Sequence, residues 1–138
     1  MDKEMEALWA NDTWKKVKYA SNTRFLGSHW VYDIKYNEFG EVYKFKARLV
    51  ARGDRQVAGL DYGETFAATA QMRTVRILIT LALIFGGTVS HCDISNAFTN
   101  GELKEELCMS APPGYPNTPG IMLRVIKSLY GLCQASRV

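Results

Sequence analysis

Histidine and cysteine are scarce in this sequence, at two and three among 138 residues. Cys92, Cys108 and Cys133 form no C-x-x-C pair, and His29 stands far from His91. Neither a zinc site nor a disulfide framework is indicated. The longest apolar run, residues 77–85 with one Thr, is under half of a membrane span. No cationic start followed by an apolar block and a small-residue cleavage site opens the chain, which reads against secretion and for a soluble, intracellular protein without a membrane partner. Charge of one sign is also lacking: 17 Lys and Arg against 14 Asp and Glu leave +3, too little alone to argue for nucleic acid. No repeat, low-complexity tract or Asp-Asp pair occurs.

What is present is an ordinary globular composition, 47% hydrophobic and 22% charged. By area scaling a chain of this size buries roughly two thirds of its unfolded surface, so one domain with a core is expected. The positive charge is local, with Lys44, Lys46, Arg48, Arg52 and Arg55 against the single acid Asp54.

Met5, Leu8 and Trp9 lie at helical spacing near the start, predicting a short amphipathic helix that ends at Asn11-Asp12 and serves at best as a lid. A short strand is predicted over residues 14–19, then a turn at Ser21-Asn22-Thr23. Trp30, Tyr32, Ile34 and Tyr36 alternate with polar residues, the pattern of a half-buried strand. A turn at Asn37 to Gly40 and a second alternating run over 42–50 complete an antiparallel hairpin. There Tyr43, Phe45, Ala47 and Leu49 point one way, so Lys44, Lys46 and Arg48 share the other face. Such a face suits a polyanion, and equally a solvated edge guarded by lysine.

Residues 52–70 read as a loop punctuated by glycine. Residues 73–85 are apolar on nearly all sides after Arg76 and stop at Gly86-Gly87, which predicts a helix buried beneath a sheet. Residues 88–92 would then be the strand it feeds, with Asp93 at a sheet edge. An acid there can hold a divalent cation, although with Ser95 and Asn96 following, a turn or cap is the commoner outcome. Residues 103–106 are too short to assign, 111–116 hold adjacent prolines and form a loop, and 121–126 predict a last strand.

Seven stretches, taken together and in order, resemble the reverse transcriptase domain of copia-type retrotransposons. They are N-D-T-W from Asn11, W-V-Y-D-I-K-Y-N from Trp30, K-A-R-L-V-A-R-G from Lys46, G-L-D-Y-G-E-T-F from Gly59, D-I-S-N-A-F-T-N-G from Asp93, P-P-G-Y from Pro112 and K-S-L-Y-G-L-C-Q-A from Lys127. The resemblance implies an α+β fold, the fingers (about 1–87) and partial palm (about 88–138, with a return to the fingers) of a right-hand polymerase, built on the hairpin and the buried core helix. It implies an RNA template, a DNA primer, a deoxynucleoside triphosphate and two Mg²⁺ ions that clamp attacking and leaving oxygens.

By the same resemblance Asp93 is the first catalytic, metal-holding carboxylate, and the carbonyl of Ile94 a further ligand. Phe98 is the aromatic gate that leaves no volume for a 2′-hydroxyl. Lys46, Arg48 and Arg52 carry charge to the triphosphate and template. Tyr130 and Gly131 approach the incoming nucleotide, or form a plain turn. Lys44 has no assigned role.

The sequence also departs from the family pattern. The other metal carboxylates belong to an aromatic-x-Asp-Asp box expected beyond Y-G-L-x-Q-A, which these 138 residues do not contain. Ala68 and Thr69 replace a Pro-Val pair, Asp54 an aromatic, Cys133 a Lys and Ser136 a Pro. The expectation is a polymerase fragment inactive alone, with weak or no Mg²⁺ binding and apolar surface open to self-association. A non-catalytic nucleic-acid-binding remnant, or a relic with no role, is the alternative.

Overall fold

The computed structural model describes residues 1–20, 23–92, 94 and 97–138. Two antiparallel sheets and two α-helices make up an α+β arrangement. The elements are α1 (Asp2–Ala10), β1 (Trp14–Lys18), β2 (Ser28–Tyr36), β3 (Val42–Ala51), α2 (Met72–Ile84), β4 (Glu102–Met109) and β5 (Ile121–Lys127). Short 3-10 turns occur at Gly53–Arg55 and Ala97–Asn100.

The three-stranded sheet has the order β1-β5-β4, so the first strand pairs with the last, Trp14 opposite Val125. That ladder draws both ends of the sequence into one core. Trp14, Leu49, Met109 and Leu129 are almost fully buried there, with Phe98 and Trp30 packed against the cluster. α1 is a wall of this core, where a lid was expected. Its Met5 and Leu8 are each 4% exposed, because i, i+3 spacing places both on one face.

β4 replaces the stretch left unassigned. Leu107 and Met109 alternate inward, and the register slips between Glu102 and Leu107, which hides the period from a sequence window.

The hairpin of β2 and β3 forms as expected, with Trp30 opposite Leu49 and Tyr32 opposite Ala47. Gly40 takes a left-handed φ of 79° in its turn, which glycine adopts without strain. Its burial does not follow the half-buried reading. Only the base is covered; Tyr32, Tyr36 and Phe45 nearer the tip are exposed, because both faces there lack a packing layer among the described residues.

α2 is the larger correction. The helix forms and ends at Gly86 (φ 65°), with the Gly87 amide on the Ala82 carbonyl at 2.7 Å, a glycine C-cap. Yet none of its residues is buried. The expected burial beneath a sheet is absent among the described residues, and residues 88–92 form no strand. A strand needs a ladder partner, and neither sheet offers one. Ser21, Asn22, Asp93, Ser95 and Asn96 lie outside the described residues, and so do the first two positions of the turn expected at Ser21-Asn22-Thr23 and the placement of Asp93.

Candidate nucleotide and nucleic-acid site

The hairpin register sets Val31 opposite Arg48, Asp33 opposite Lys46 and Lys35 opposite Lys44. Lys44, Lys46 and Arg48 therefore share a face, as the alternation predicts, and Lys35 joins them. Asp33 is the acid within this group. Its carboxylate pairs with Lys35 at 2.8 Å, and the hydrogen bond from Lys35 holds its pKa below the usual carboxylate range, with Lys35, Arg48 and Lys46 adding at longer reach.

At the base of this face three expected site residues touch. The Arg48 guanidinium lies over the Tyr130 ring, 5.8 Å from its centroid, a cation–π arrangement. Tyr130 in turn meets Phe98 edge to face, with centroids 5.1 Å apart. Arg48 Nε is buried with no hydrogen-bond partner among the described residues.

Gly131 and Gly53 bring the chain segments close enough for this. Gly131 has φ 87°, and an added Cβ would strike the Ala51 carbonyl and the Val50 side chain. A Cβ on Gly53 would strike the Gly131 carbonyl. The Ala51 amide donates to the Tyr130 carbonyl at 2.8 Å, which ties the end of β3 to the Tyr130-Gly131 turn.

Arg52 follows β3 directly and is already engaged. It donates to both Asp54 oxygens at 2.8 and 2.7 Å, raising the Arg52 pKa and lowering that of Asp54 through the hydrogen bonds. Ile94 is 66% exposed. Asp93 lies outside the described residues, and among the described residues no three His, Cys, Asp or Glu side chains converge. The structure thus brings together Arg48, Phe98, Tyr130 and Gly131, with Lys46 one same-face position along β3.

A family model for reverse transcriptase (RNA-dependent DNA polymerase) matches residues 11–138. The chain belongs to the reverse transcriptase family. It is 37% identical over 140 residues to the retrovirus-related Pol polyprotein from transposon RE1 of Arabidopsis thaliana, covering 99% of this chain and 10% of that protein. Identity to the Pol polyprotein from transposon TNT 1-94 of Nicotiana tabacum is 35% over 139 residues, again 99% and 10%. The transposon Ty1-DR5 Gag-Pol polyprotein of Saccharomyces cerevisiae is 31% identical over 143 residues, 96% and 8%. The chain thus spans about a tenth of the length of these relatives, and no solved structure matches it. The copia-type resemblance carried by the motifs holds.

Within this reverse transcriptase-family chain, several motif residues prove to be braces that the sequence reading did not single out. Asn11 donates to the Thr99 carbonyl and accepts from Lys127 Nζ at 3.1 Å, which joins three motifs. The Gln56 side chain accepts from the Cys133 amide at 2.8 Å and donates to Gln134 at 3.1 Å. Gln134 donates to the Asp61 carbonyl at 3.2 Å. Asp61 also binds Arg24 at 2.9 Å and the Val57 amide at 2.7 Å. Trp30 Nε1 donates to the Pro113 carbonyl at 2.9 Å, so P-P-G-Y clamps the hairpin base. The available signal was that Asn11, Asp61, Pro113 and Gln134 all lie inside the seven stretches.

Proposed function

We propose that these residues form the fingers and the first part of the palm of a copia-type RNA-directed DNA polymerase, divided near residue 87. The observation that carries this is the contact chain from Arg48 through Tyr130 to Phe98, in which residues of three distant motifs meet beside a cationic strand face. In this reading Lys46 and Arg48 face the triphosphate and template, and Arg52 reaches them after release from Asp54. Phe98, braced by Tyr130, closes off the 2′ position, and Gly131 lets the backbone pass closely. Asp93, with the Ile94 carbonyl, would hold a divalent ion, Mg²⁺ by family, which neutralises phosphate charge.

Two-metal chemistry needs more than one rigidly placed carboxylate, and the sequence has no Asp-Asp pair. A polypeptide of these 138 residues therefore binds its ligands without extending a primer. Primer extension with Mg²⁺, a primed RNA template and deoxynucleotides tests this. No product is expected; extension that Asp93→Asn abolishes would overturn the inactivity. The shared face of Lys35 and Lys44, both exposed, with Lys46 and Arg48, half-buried, favours a second reading, nucleic-acid binding without catalysis.

A further inference from the structure

Phe98 lies on the short 3-10 turn Ala97–Asn100. A ring that must exclude one oxygen atom works only when it is held to within about 0.5 Å. A single 3-10 turn has weak hydrogen-bond geometry of its own, so its placement depends on bonds from other segments.

The K-S-L-Y stretch from Lys127 supplies them. Tyr130 meets the Phe98 ring edge to face at 5.1 Å. The Ser128 amide donates to the Gly101 carbonyl at 2.8 Å, just past the turn. Lys127 acts through Asn11. Asn11 Nδ2 donates to the carbonyl of Thr99, the residue next to Phe98 and only 3% exposed, while Lys127 Nζ donates to Asn11 Oδ1 at 3.1 Å.

The chemistry of the two side chains gives this link a direction. An ammonium has donors only, whereas a carboxamide has an acceptor on one side and donors on the other. Lys127 therefore faces Oδ1, which turns Nδ2 toward Thr99. Without the cation the carboxamide can reverse and set its oxygen against the Thr99 carbonyl, where two acceptors repel. Both ends of the link are anchored in the backbone. The Ile126 and Lys127 amides donate to the Thr13 carbonyl at 2.8 and 3.1 Å, and the Asn11 amide donates to the Ala7 carbonyl at 3.0 Å. The end of α1 and the end of β5 thus jointly fix the turn beneath Phe98.

We infer that Asn11 and Lys127 are a positioning pair that sets how strictly the site at Phe98 distinguishes a deoxynucleotide from a ribonucleotide. This rests on the reading of Phe98 as the residue that closes off the 2′ position, and adds what holds it there.

The test is an NMR titration of the 138-residue chain with dATP and with ATP, each with Mg²⁺, after cross-peaks between the Phe98 and Tyr130 rings are recorded in the free protein. Wild type is expected to prefer dATP by at least about ten-fold, and Phe98→Ala to bring the ratio near one. Asn11→Asp keeps the size of the side chain and its attraction to Lys127 but cannot donate to Thr99. Lys127→Met keeps the stem and removes the donor. Each should cut the preference to below about three-fold and weaken the ring cross-peaks. A change of net charge acts on both triphosphates alike and cancels in the ratio.

A wild-type ratio near one, or a ratio that Phe98→Ala leaves intact, would overturn the reading of Phe98 itself. A ratio lost in Phe98→Ala but kept in either folded variant of the pair would overturn the pair and leave Phe98 standing, as would ring cross-peaks unchanged in both variants. Binding of neither nucleotide by wild type would overturn the nucleotide site. A cooperative unfolding transition shows that a variant is folded, and loss of that transition in both Asn11→Asp and Lys127→Met would assign the pair to the core and overturn the inference.

Discussion

The buried core and the apolar helix α2 are different parts of this molecule. The core is drawn from the two ends of the sequence and the base of the hairpin: Met5, Trp14, Leu49, Met109 and Leu129 are each under 5% exposed. Among the described residues no hydrophobic side chain from residue 52 to residue 106 is buried, although that interval holds Ile77, Leu78, Leu83 and Phe85 at 59% to 80% exposure. Burial here follows the β1-β5 ladder, which collects residues more than a hundred positions apart. The hydrogen bonds of α2 are local, whereas a helix of 13 residues ordinarily takes most of its stability from packing, and none of its residues is buried among the described residues. Apolarity on every side of a helix signals a demand for burial and does not name what supplies it.

Core substitution should expose that difference most sharply. Leu129→Ala removes a side chain with 0% exposure and is expected to cost about 2–5 kcal/mol. Leu78→Ala, 60% exposed on α2, should fall within about 0.5 kcal/mol. Urea denaturation of both variants makes the comparison, and equal losses would break it. Gly131→Ala belongs with the core group, since its left-handed φ and the crowding by Ala51 and Val50 both oppose a Cβ. Loss of a cooperative unfolding transition is the expected result.

A smaller effect sharpens the comparison from the other side. Leu78→Glu with Leu83→Glu places charge on α2 without touching a buried group. The unfolding midpoint should stay nearly fixed, while binding of an apolar dye and the associated fraction in light scattering both fall, because contiguous apolar surface drives both. A lowered midpoint with unchanged dye binding would mean that α2 is part of the cooperative core.

Much of this architecture was legible because its signals are short in range. α1, β1, the hairpin with its Asn37 to Gly40 turn, α2 as a helix and β5 each follow from a local period or a turn residue. The pairing of β1 with β5 and the exposure of α2 depend on contacts across the sequence, which no window of ten residues contains. β4 was obscured by its register slip. At the site, the face shared by Lys44, Lys46 and Arg48 follows from alternation alone. The contact of Arg48 with Tyr130, by contrast, joins residues 82 positions apart and had no local signal. Arg52 was assigned to the triphosphate and template, and Asp54 was counted as the one acid among the local cations, but nothing in the sequence signalled that the two pair.

The smallest effects separate the two regions by pH. In the packed region the Tyr115 hydroxyl donates to Asp2 at 2.7 Å, and that bond pushes the phenol up to about 12. A folded pKa above the unfolded value of about 10 means that the contribution is whole below about pH 10 and lost as pH rises through 12. Around the hairpin the carboxylates of Asp33 and Asp54 are held low by Lys35 and Arg52. Their contribution is whole above the ordinary carboxylate pKa of about 3.9 and lost as pH falls through the lowered values. All three groups are exposed to solvent, so each shift in unfolding midpoint is slight. Tyr115→Phe should lie below wild type by a constant margin from neutral pH to about pH 10 and converge with it near pH 12, followed alongside by tyrosinate absorbance. Asp54→Asn should converge with wild type in acid instead. A Tyr115→Phe margin that stayed open above pH 12 would show that it does not come from the hydrogen bond of the phenol to Asp2.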